Sequence, residues 1–190
     1  MVTSDEAAVQ QVLGGDRDAF RVLVERHSRH VFRVGYRMTG NEQDAEEVVQ
    51  ETFLRAYRRL DGFKFDSAFS TWLQRIAANC SVDLLERRNR HEKGRVQPRE
   101  EDEEPIELPS GAPSAERLVL SGEVGRKVAE VMDALSPSER TAFVMRHFEG
   151  NSIEEIGKTL GIADGAAKNC IFRAVQKMRS ALGPLARPTR

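Results

Sequence analysis

Cysteine is almost absent from this chain, and the little there is cannot form a scaffold. Cys80 and Cys170 lie far apart with no CxxC spacing, which excludes a disulfide framework and a metal knuckle and makes a reducing compartment the natural setting. Both read as ordinary small apolar residues. Long hydrophobic runs are missing as well, so no membrane insertion is expected. Thr3, Ser4, Asp5 and Glu6 stand where the apolar stretch of a secretory leader would be, and a cytoplasmic protein is the expectation. No P-loop, Rossmann glycine pattern, HExxH or nucleophile elbow occurs. An enzyme would have no residues to work with, and neither a metal nor a cofactor is expected. His27 and His30 are spaced i, i+3, but no carboxylate or cysteine at metal-ligand spacing joins them, and they read as surface residues.

What is present is charge and helical periodicity. Charged residues make up 31% of the chain and hydrophobic residues 39%, a mix suited to a soluble helical protein. The net charge of −1 argues against a generic nucleic-acid binder, but it hides segregation. Arg87 to Arg99 is basic, Glu100 to Glu107 carries acids and no Lys or Arg, and Gly165 to Arg190 carries bases and no acid.

Strand alternation never persists, so the expected fold class is all-α. Asp16 is placed to cap a helix with Phe20, Leu23, Val24, Val31 and Val34 on one face. Gly40 breaks it, and Asn41 caps a second helix with Ala45, Val48, Val49, Thr52, Phe53 and Ala56 on one side. Asp61 to Asp66 reads as a loop, followed by a long helix over about Ser67–Arg88 with Phe69, Trp72, Leu73, Ile76, Cys80 and Leu84 inward. Residues 1–91 would form one small helical domain. Glu92–Ser114 holds Pro98, Pro105, Pro109, Pro113 and the acidic run without apolar periodicity, and reads as a flexible acidic linker. A second small helical domain, 115–190, starts with Leu118, Val128, Val131 and Leu135 as one apolar side. Ser136-Pro-Ser-Glu139 and Ser152-Ile-Glu-Glu155 are capping boxes.

The strongest local feature is a helix-turn-helix over about 152–180. A short helix Ile153–Leu160 should stop at Gly161, and a basic helix should run from about Gly165 to Leu182. Ile156, Leu160, Ile162 and Ile171 are spaced to close its core, and Gly157 permits a close approach. The last helix would then present Lys168, Asn169, Phe172, Arg173 and Lys177, side chains suited to base edges and phosphates of a DNA major groove. The acidic face Glu42, Asp44, Glu46, Glu47 and Glu51 reads, on periodicity alone, as a solvated helix face, with docking of a basic partner as the alternative. Phe63, Phe65, Phe69 and Trp72 cluster beside Lys64 and Arg75. Phe69 and Trp72 read as core, while Lys64 and Phe65 suit either a core corner or stacking of an unpaired base.

These pieces together resemble a known family. Asp44-Ala-Glu-Glu-Val-Val-Gln-Glu-Thr-Phe-Leu-Arg-Ala-Tyr57 resembles the polymerase-binding helix of the two-domain bacterial sigma factors of the extracytoplasmic-function group, within the sigma-70 family. Ala68-Phe-Ser-Thr-Trp-Leu-Gln-Arg-Ile-Ala-Ala-Asn79, with Asp83, Arg87 and Arg88, resembles the end of the same domain. Leu135-Ser-Pro-Ser-Glu-Arg140, Phe148-Glu-Gly150, Glu154-Glu-Ile156 and Leu160-Gly161 resemble the second domain.

The resemblance implies roles. Asp44, Glu46, Glu47, Gln50 and Glu51 would face the clamp coiled coil of the large subunit of core RNA polymerase, which reverses the solvated-face reading. Phe63, Lys64, Phe65, Asp66, Ser67, Arg75 and Asn79 would capture an unstacked base of the minus-10 element of promoter DNA. Lys168, Asn169, Phe172, Arg173 and Lys177 would read the minus-35 element. The acidic linker would thread toward the RNA exit path, and an anti-sigma factor would hold the protein inactive. One departure matters: the family usually has Gly-Thr-Val-Lys-Ser-Arg where this chain has Gly165-Ala-Ala-Lys-Asn-Cys170, which removes a hydroxyl at Ala166 and a cation at Cys170. Fewer phosphate contacts are expected. A response-regulator-like activator would leave residues 1–90 without a role, and a protein-only adaptor would leave the acid-free last helix unexplained.

Overall fold

The computed structural model describes residues 4–93 and 115–183, and every helix or turn of helix among them follows the expected all-α plan. They fall into two compact units, one built mainly from residues 1–89 and one mainly from residues 90–190. The expected linker lies outside the described residues from residue 94 onward, and its acidic run with it.

The first unit opens with a helix that the periodicity did not announce. α1 (Asp5–Leu13) is capped by Ser4, whose hydroxyl accepts from the Ala7 N–H at 3.2 Å, and Asp5 and Glu6 occupy its positive first turn. α1 changes the reading of His27. Its Nε2 lies 2.8 Å from the Asp5 carboxylate, and the ring is buried beneath α1, not exposed at the surface. Arg26 pairs with the other oxygen of Asp5. His30 is half-buried, with Nε2 at 2.8 Å from the Gln74 amide.

α2 (Ala19–Thr39) does not start on Asp16. That carboxylate accepts from the Asp18 N–H at 3.1 Å, so it organises the preceding turn, and Asp18 takes the cap position without a side-chain bond. The helix ends at Gly40 in the left-handed region, and Asn41 then caps α3 (Glu42–Arg58) by accepting from the Asp44 N–H at 2.9 Å. Removing that acceptor leaves an orphan donor at a half-buried site. Asn41→Ala is therefore expected to cost ~1 kcal/mol of stability, visible as a lowered midpoint in thermal denaturation.

A short 3-10 turn, Leu60–Gly62, leads into the aromatic loop and then α4 (Phe69–Lys93), which continues two residues into the expected linker that starts at Glu92. Leu23, Val31, Val34 and Met38 of α2 meet Ala45, Val48, Phe53 and Ala56 of α3 and Leu73, Ile76, Cys80 and Leu84 of α4 in one core. All but Met38 are inward positions that 3.6-residue periodicity marks, while Phe20, Val24, Val49 and Trp72, marked as well, are half-buried.

In the second unit, α5 (Ala115–Asp133) and α6 (Pro137–His147) are joined by the Ser136 capping box. The Ser136 hydroxyl accepts from the Glu139 N–H at 3.3 Å, and the Glu139 carboxylate accepts from the Ser136 N–H at 3.1 Å. α8 (Asp164–Leu182) packs on α6 and α5 through Ala167, Cys170, Ala174 and Met178, against Val131, Leu135, Ala142 and Met145. Among the described residues no helix is long and apolar enough to cross a membrane.

Candidate nucleic-acid interface

α7 (Ile153–Leu160) begins at a second capping box, with the Ser152 N–H donating to Glu155 at 2.8 Å and the Glu155 N–H to the Ser152 hydroxyl at 3.2 Å. It stops where Gly161 takes φ 64°, a conformation that costs glycine no Cβ clash. The Ile162 N–H then returns to the Gly157 carbonyl at 3.0 Å, closing the turn. Gly157 is required by the turn itself: a Cβ there would stand 2.9 Å from the Ile162 carbonyl oxygen and 3.1 Å from the Asp164 carboxylate. Ile156 is fully buried, and Leu160, Ile162 and Ile171 are half-buried around it. The helix-turn-helix therefore closes on the residues the spacing selects.

Lys168, Asn169, Phe172, Arg173 and Lys177 all lie on the solvent side of α8, and Phe172 leaves 62% of its surface in water. Ala163 caps α8 without a side-chain hydrogen bond, consistent with the lack of a hydroxyl at this helix start. Arg173 and Lys177 are not simply solvated. The Arg173 Nε lies 3.2 Å from Glu139 Oε1, and the Lys177 Nζ lies 2.7 Å from Glu139 Oε2 and 3.4 Å from the Ala134 carbonyl. The sequence shows Glu139 only as half of a capping box; its second task depends on a contact across helices and has no local signature.

Burial alone would push the Glu139 carboxyl up. The Lys177 hydrogen bond, the Ser136 N–H and the Lys177 and Arg173 charges together outweigh it and hold the group below the usual glutamate range. The folded-state value is thus depressed. Stability from this group is present above the unfolded-state value and is lost as pH falls through the folded one. On acidification past the ordinary glutamate range, wild-type protein should lose a component of thermal stability that Glu139→Gln lacks. Parallel melting curves against pH check this.

The aromatic segment divides in two. Phe63, Phe69 and Trp72 pack together, with ring centroids 5.3 to 5.7 Å apart, and His27 lies 5.5 Å from Phe69. Phe63 is buried, so of the expected minus-10 residues it forms the floor. Phe65 sits on that floor at 4.8 Å from Phe63, 41% exposed, with φ 57°, the one non-glycine residue in the left-handed region among those described. Lys64, Asp66 and Asn79 are exposed, while Ser67 and Arg75 are half-buried. The arrangement is a rigid aromatic base carrying one strained, solvent-facing ring.

The acidic helix also divides. Asp44 pairs with Arg88, Glu47 with Arg87, and Glu51 with Arg55 at 2.6 Å, so this edge of α3 is tied largely to α4. Arg55 also holds Asp83 at 2.6 Å, and the hydrogen bonds it donates to Asp83 and then to Glu51 raise its pKa further. Glu46 and Gln50 instead line a shallow groove with Val49 and with Ser28, Arg29 and Phe32 of α2. Of the five acidic-helix residues expected to dock, these two face the groove. Phe32, which joins them there, carries no motif of its own and was not among the expected residues.

Comparison with known proteins adds a family context. Residues 23–91 match the family model for Sigma-70 region 2, and residues 125–178 match that for Sigma-70, region 4. The chain is 35% identical over 160 residues to the ECF RNA polymerase sigma factor SigE of Mycolicibacterium smegmatis, covering 84% of this chain but 60% of that relative's length. It is 35% identical over 185 residues to the RNA polymerase sigma-H factor of Pseudomonas aeruginosa, covering 96% of each. A solved structure of CnrH in complex with the cytosolic domain of CnrY matches with a TM-score of 0.63 and 27% identity, over 95% of this chain and 97% of that one.

Proposed function

The chain belongs to the extracytoplasmic-function sigma factors of the sigma-70 family, and from that premise we propose how its two units divide the work of starting transcription at a promoter. The first unit, within 1–91, binds core RNA polymerase and takes hold of the minus-10 element. The second, within 115–190, binds the minus-35 element, and 92–114 connects them. The role is positional: the protein brings no bond-making chemistry, metal or cofactor of its own, and it works in the cytoplasm on chromosomal DNA.

The observation that carries this reading is the outward face of α8. Lys168, Asn169, Phe172 and Arg173 stand exposed on the second helix of a closed helix-turn-helix, in the position from which such helices enter the major groove. Lys177 lies one turn further along the same face. In the first unit, Phe65 on its aromatic floor, flanked by Lys64 and Asp66 and followed by Ser67, Arg75 and Asn79, suits stacking and edge recognition of one flipped base. Asp44, Glu46, Glu47, Gln50 and Glu51 form the polymerase side. Glu46 and Gln50 make direct contact with the clamp coiled coil, Asp44 and Glu47 hold α3 against α4 through Arg88 and Arg87, and Glu51 steadies Arg55 of α3, which reaches Asp83 of α4. The sigma factor RpoE of Bartonella quintana is seen in complex with the anti-sigma factor NepR, and by analogy this chain has an anti-sigma partner.

Run-off transcription with purified core polymerase tests the whole. A promoter-dependent transcript that requires this chain is the expected result. No transcript, together with no co-purification with core, would remove the reading. Within it, Glu46→Lys puts a like charge against a basic docking surface and should weaken core binding at least tenfold, about 1.4 kcal/mol, in a competition assay. An unchanged affinity removes Glu46 from the docking face.

A further inference from the structure

The carboxylate of Glu139 has more to do than close a capping box. Only 7% of its side chain is exposed, yet it meets two cations of α8 that are spaced i, i+4: Arg173 through Oε1 at 3.2 Å and Lys177 through Oε2 at 2.7 Å. It is anchored from below by the Ser136 N–H at 3.1 Å. A carboxylate accepts only, and here its oxygens are shared among the N-terminus of one helix and two side chains of another.

The consequence differs for the two cations. Arg173 is ion-paired through its Nε, 3.2 Å from the carboxylate, and one Nη2 hydrogen points to Cys170 Sγ at 3.7 Å. What remains is the outer Nη1–Nη2 edge, a two-donor fork directed outward by the ion pair and the Cys170 contact behind it. That is the geometry that pairs with guanine O6 and N7. Lys177 gives one donor to Glu139 and one to the Ala134 carbonyl at 3.4 Å. It stays 45% exposed, but the paired carboxylate offsets part of its charge and holds the ammonium back toward Glu139, so it contributes less counterion release on binding DNA than an unpaired lysine would. We infer that Glu139 is a positioning residue for promoter reading, which aims the Arg173 fork at a base edge and withholds Lys177 from the phosphates, so that the second unit gains sequence discrimination at the expense of non-specific grip. This rests on α8 being the minus-35 reading helix.

The test separates aiming from folding. Glu139→Gln is nearly isosteric, and Gln completes a capping box as Glu does, so the variant removes the charge and keeps the cap. Ser136→Ala does the reverse. Both are introduced into the full chain and reconstituted with core polymerase. The probe is the duplex that wild-type holoenzyme selects from a pool randomised in the upstream element, compared with the same duplex scrambled at the selected positions. Glu139→Gln should lower the selected-to-scrambled affinity ratio at least fivefold and steepen the salt dependence on the scrambled duplex by about one phosphate contact, as Lys177 is freed. Ser136→Ala should lower the melting temperature and leave the ratio unchanged. The inference is overturned if Glu139→Gln keeps the ratio within twofold, or if Ser136→Ala lowers it as much. Arg173→Ala separates the two levels: if it loses discrimination while Glu139→Gln does not, only the positioning role fails; if it loses none, the base-reading role of Arg173 fails and the inference falls with it.

Discussion

Gly157→Val should abolish minus-35 binding while leaving the first unit's interaction with core polymerase intact. The Cβ that any other residue carries would stand 2.9 Å from the Ile162 carbonyl and 3.1 Å from the Asp164 carboxylate, and the first of these is backbone that cannot swing aside. To make room, α7 must back away from the start of α8, which opens the turn and uncovers Ile156. Overpacking of this kind costs ~1–3 kcal/mol and sometimes more, and the two further methyl groups of valine put it at the upper end. A better helix propensity than glycine returns less than ~1 kcal/mol. The balance is unfavourable, and the lost geometry is the one on which DNA reading depends. Affinity for promoter DNA should fall at least a hundredfold, about 2.7 kcal/mol, in a gel-shift or anisotropy titration. A variant that binds within threefold of wild type would show that the turn tolerates a wider angle than the structure has.

Phe65→Gly should produce the opposite pairing, with stability near wild type and promoter opening badly impaired. Phe65 holds φ 57°, which costs a non-glycine residue ~1 kcal/mol or more, and glycine removes that strain. Glycine also gives the unfolded chain more freedom, a penalty of ~0.5–1 kcal/mol, and the contact with Phe63 at 4.8 Å is lost. These terms nearly cancel, so the melting temperature should move little. The ring's exposed surface has no such compensation. Base stacking on an aromatic side chain contributes ~1–3 kcal/mol, so the open complex should be disfavoured roughly five- to hundredfold. Permanganate reactivity of unpaired thymines measures this directly. If Phe65→Gly opens promoters normally, the ring that takes the base is another one.

Sequence reasoning succeeds where a code is local and stops where a contact is tertiary. Capping boxes are local codes, and those at Ser136 and Ser152 appear as their residues require. The inward faces of α2, α3 and α4 follow from periodicity for the same reason: the burial pattern of a helix is written in its own spacing. α1 is missed although Ser4, Asp5 and Glu6 form a visible helix start, because the helix has only 9 residues, too few for the spacing of Ala8, Val9, Val12 and Leu13 to register as a period. His27 is then misplaced at the surface, since the residue that buries it belongs to that helix. Glu139 and the arginines of α4 are a different case. No spacing rule tells which acid of a charged face meets an arginine of another helix, and the division of the acidic face into a paired edge and a groove edge is a tertiary fact.

Both native thiols are enclosed. Cys80 is buried among α3 and α4, and burial pushes its thiol up despite the pull of the neighbouring Thr52 hydroxyl and the Arg55 charge; Cys170 lies on the buried side of α8. A covered thiol is a poor nucleophile toward maleimides. A single cysteine introduced at an exposed position outside the contact faces, such as Gln11 or Ser180, would therefore take a fluorophore selectively, without first removing the native pair. The chain is in effect supplied ready for site-specific dyes, and distances between its two units can be followed through polymerase binding and promoter melting on an otherwise unaltered protein.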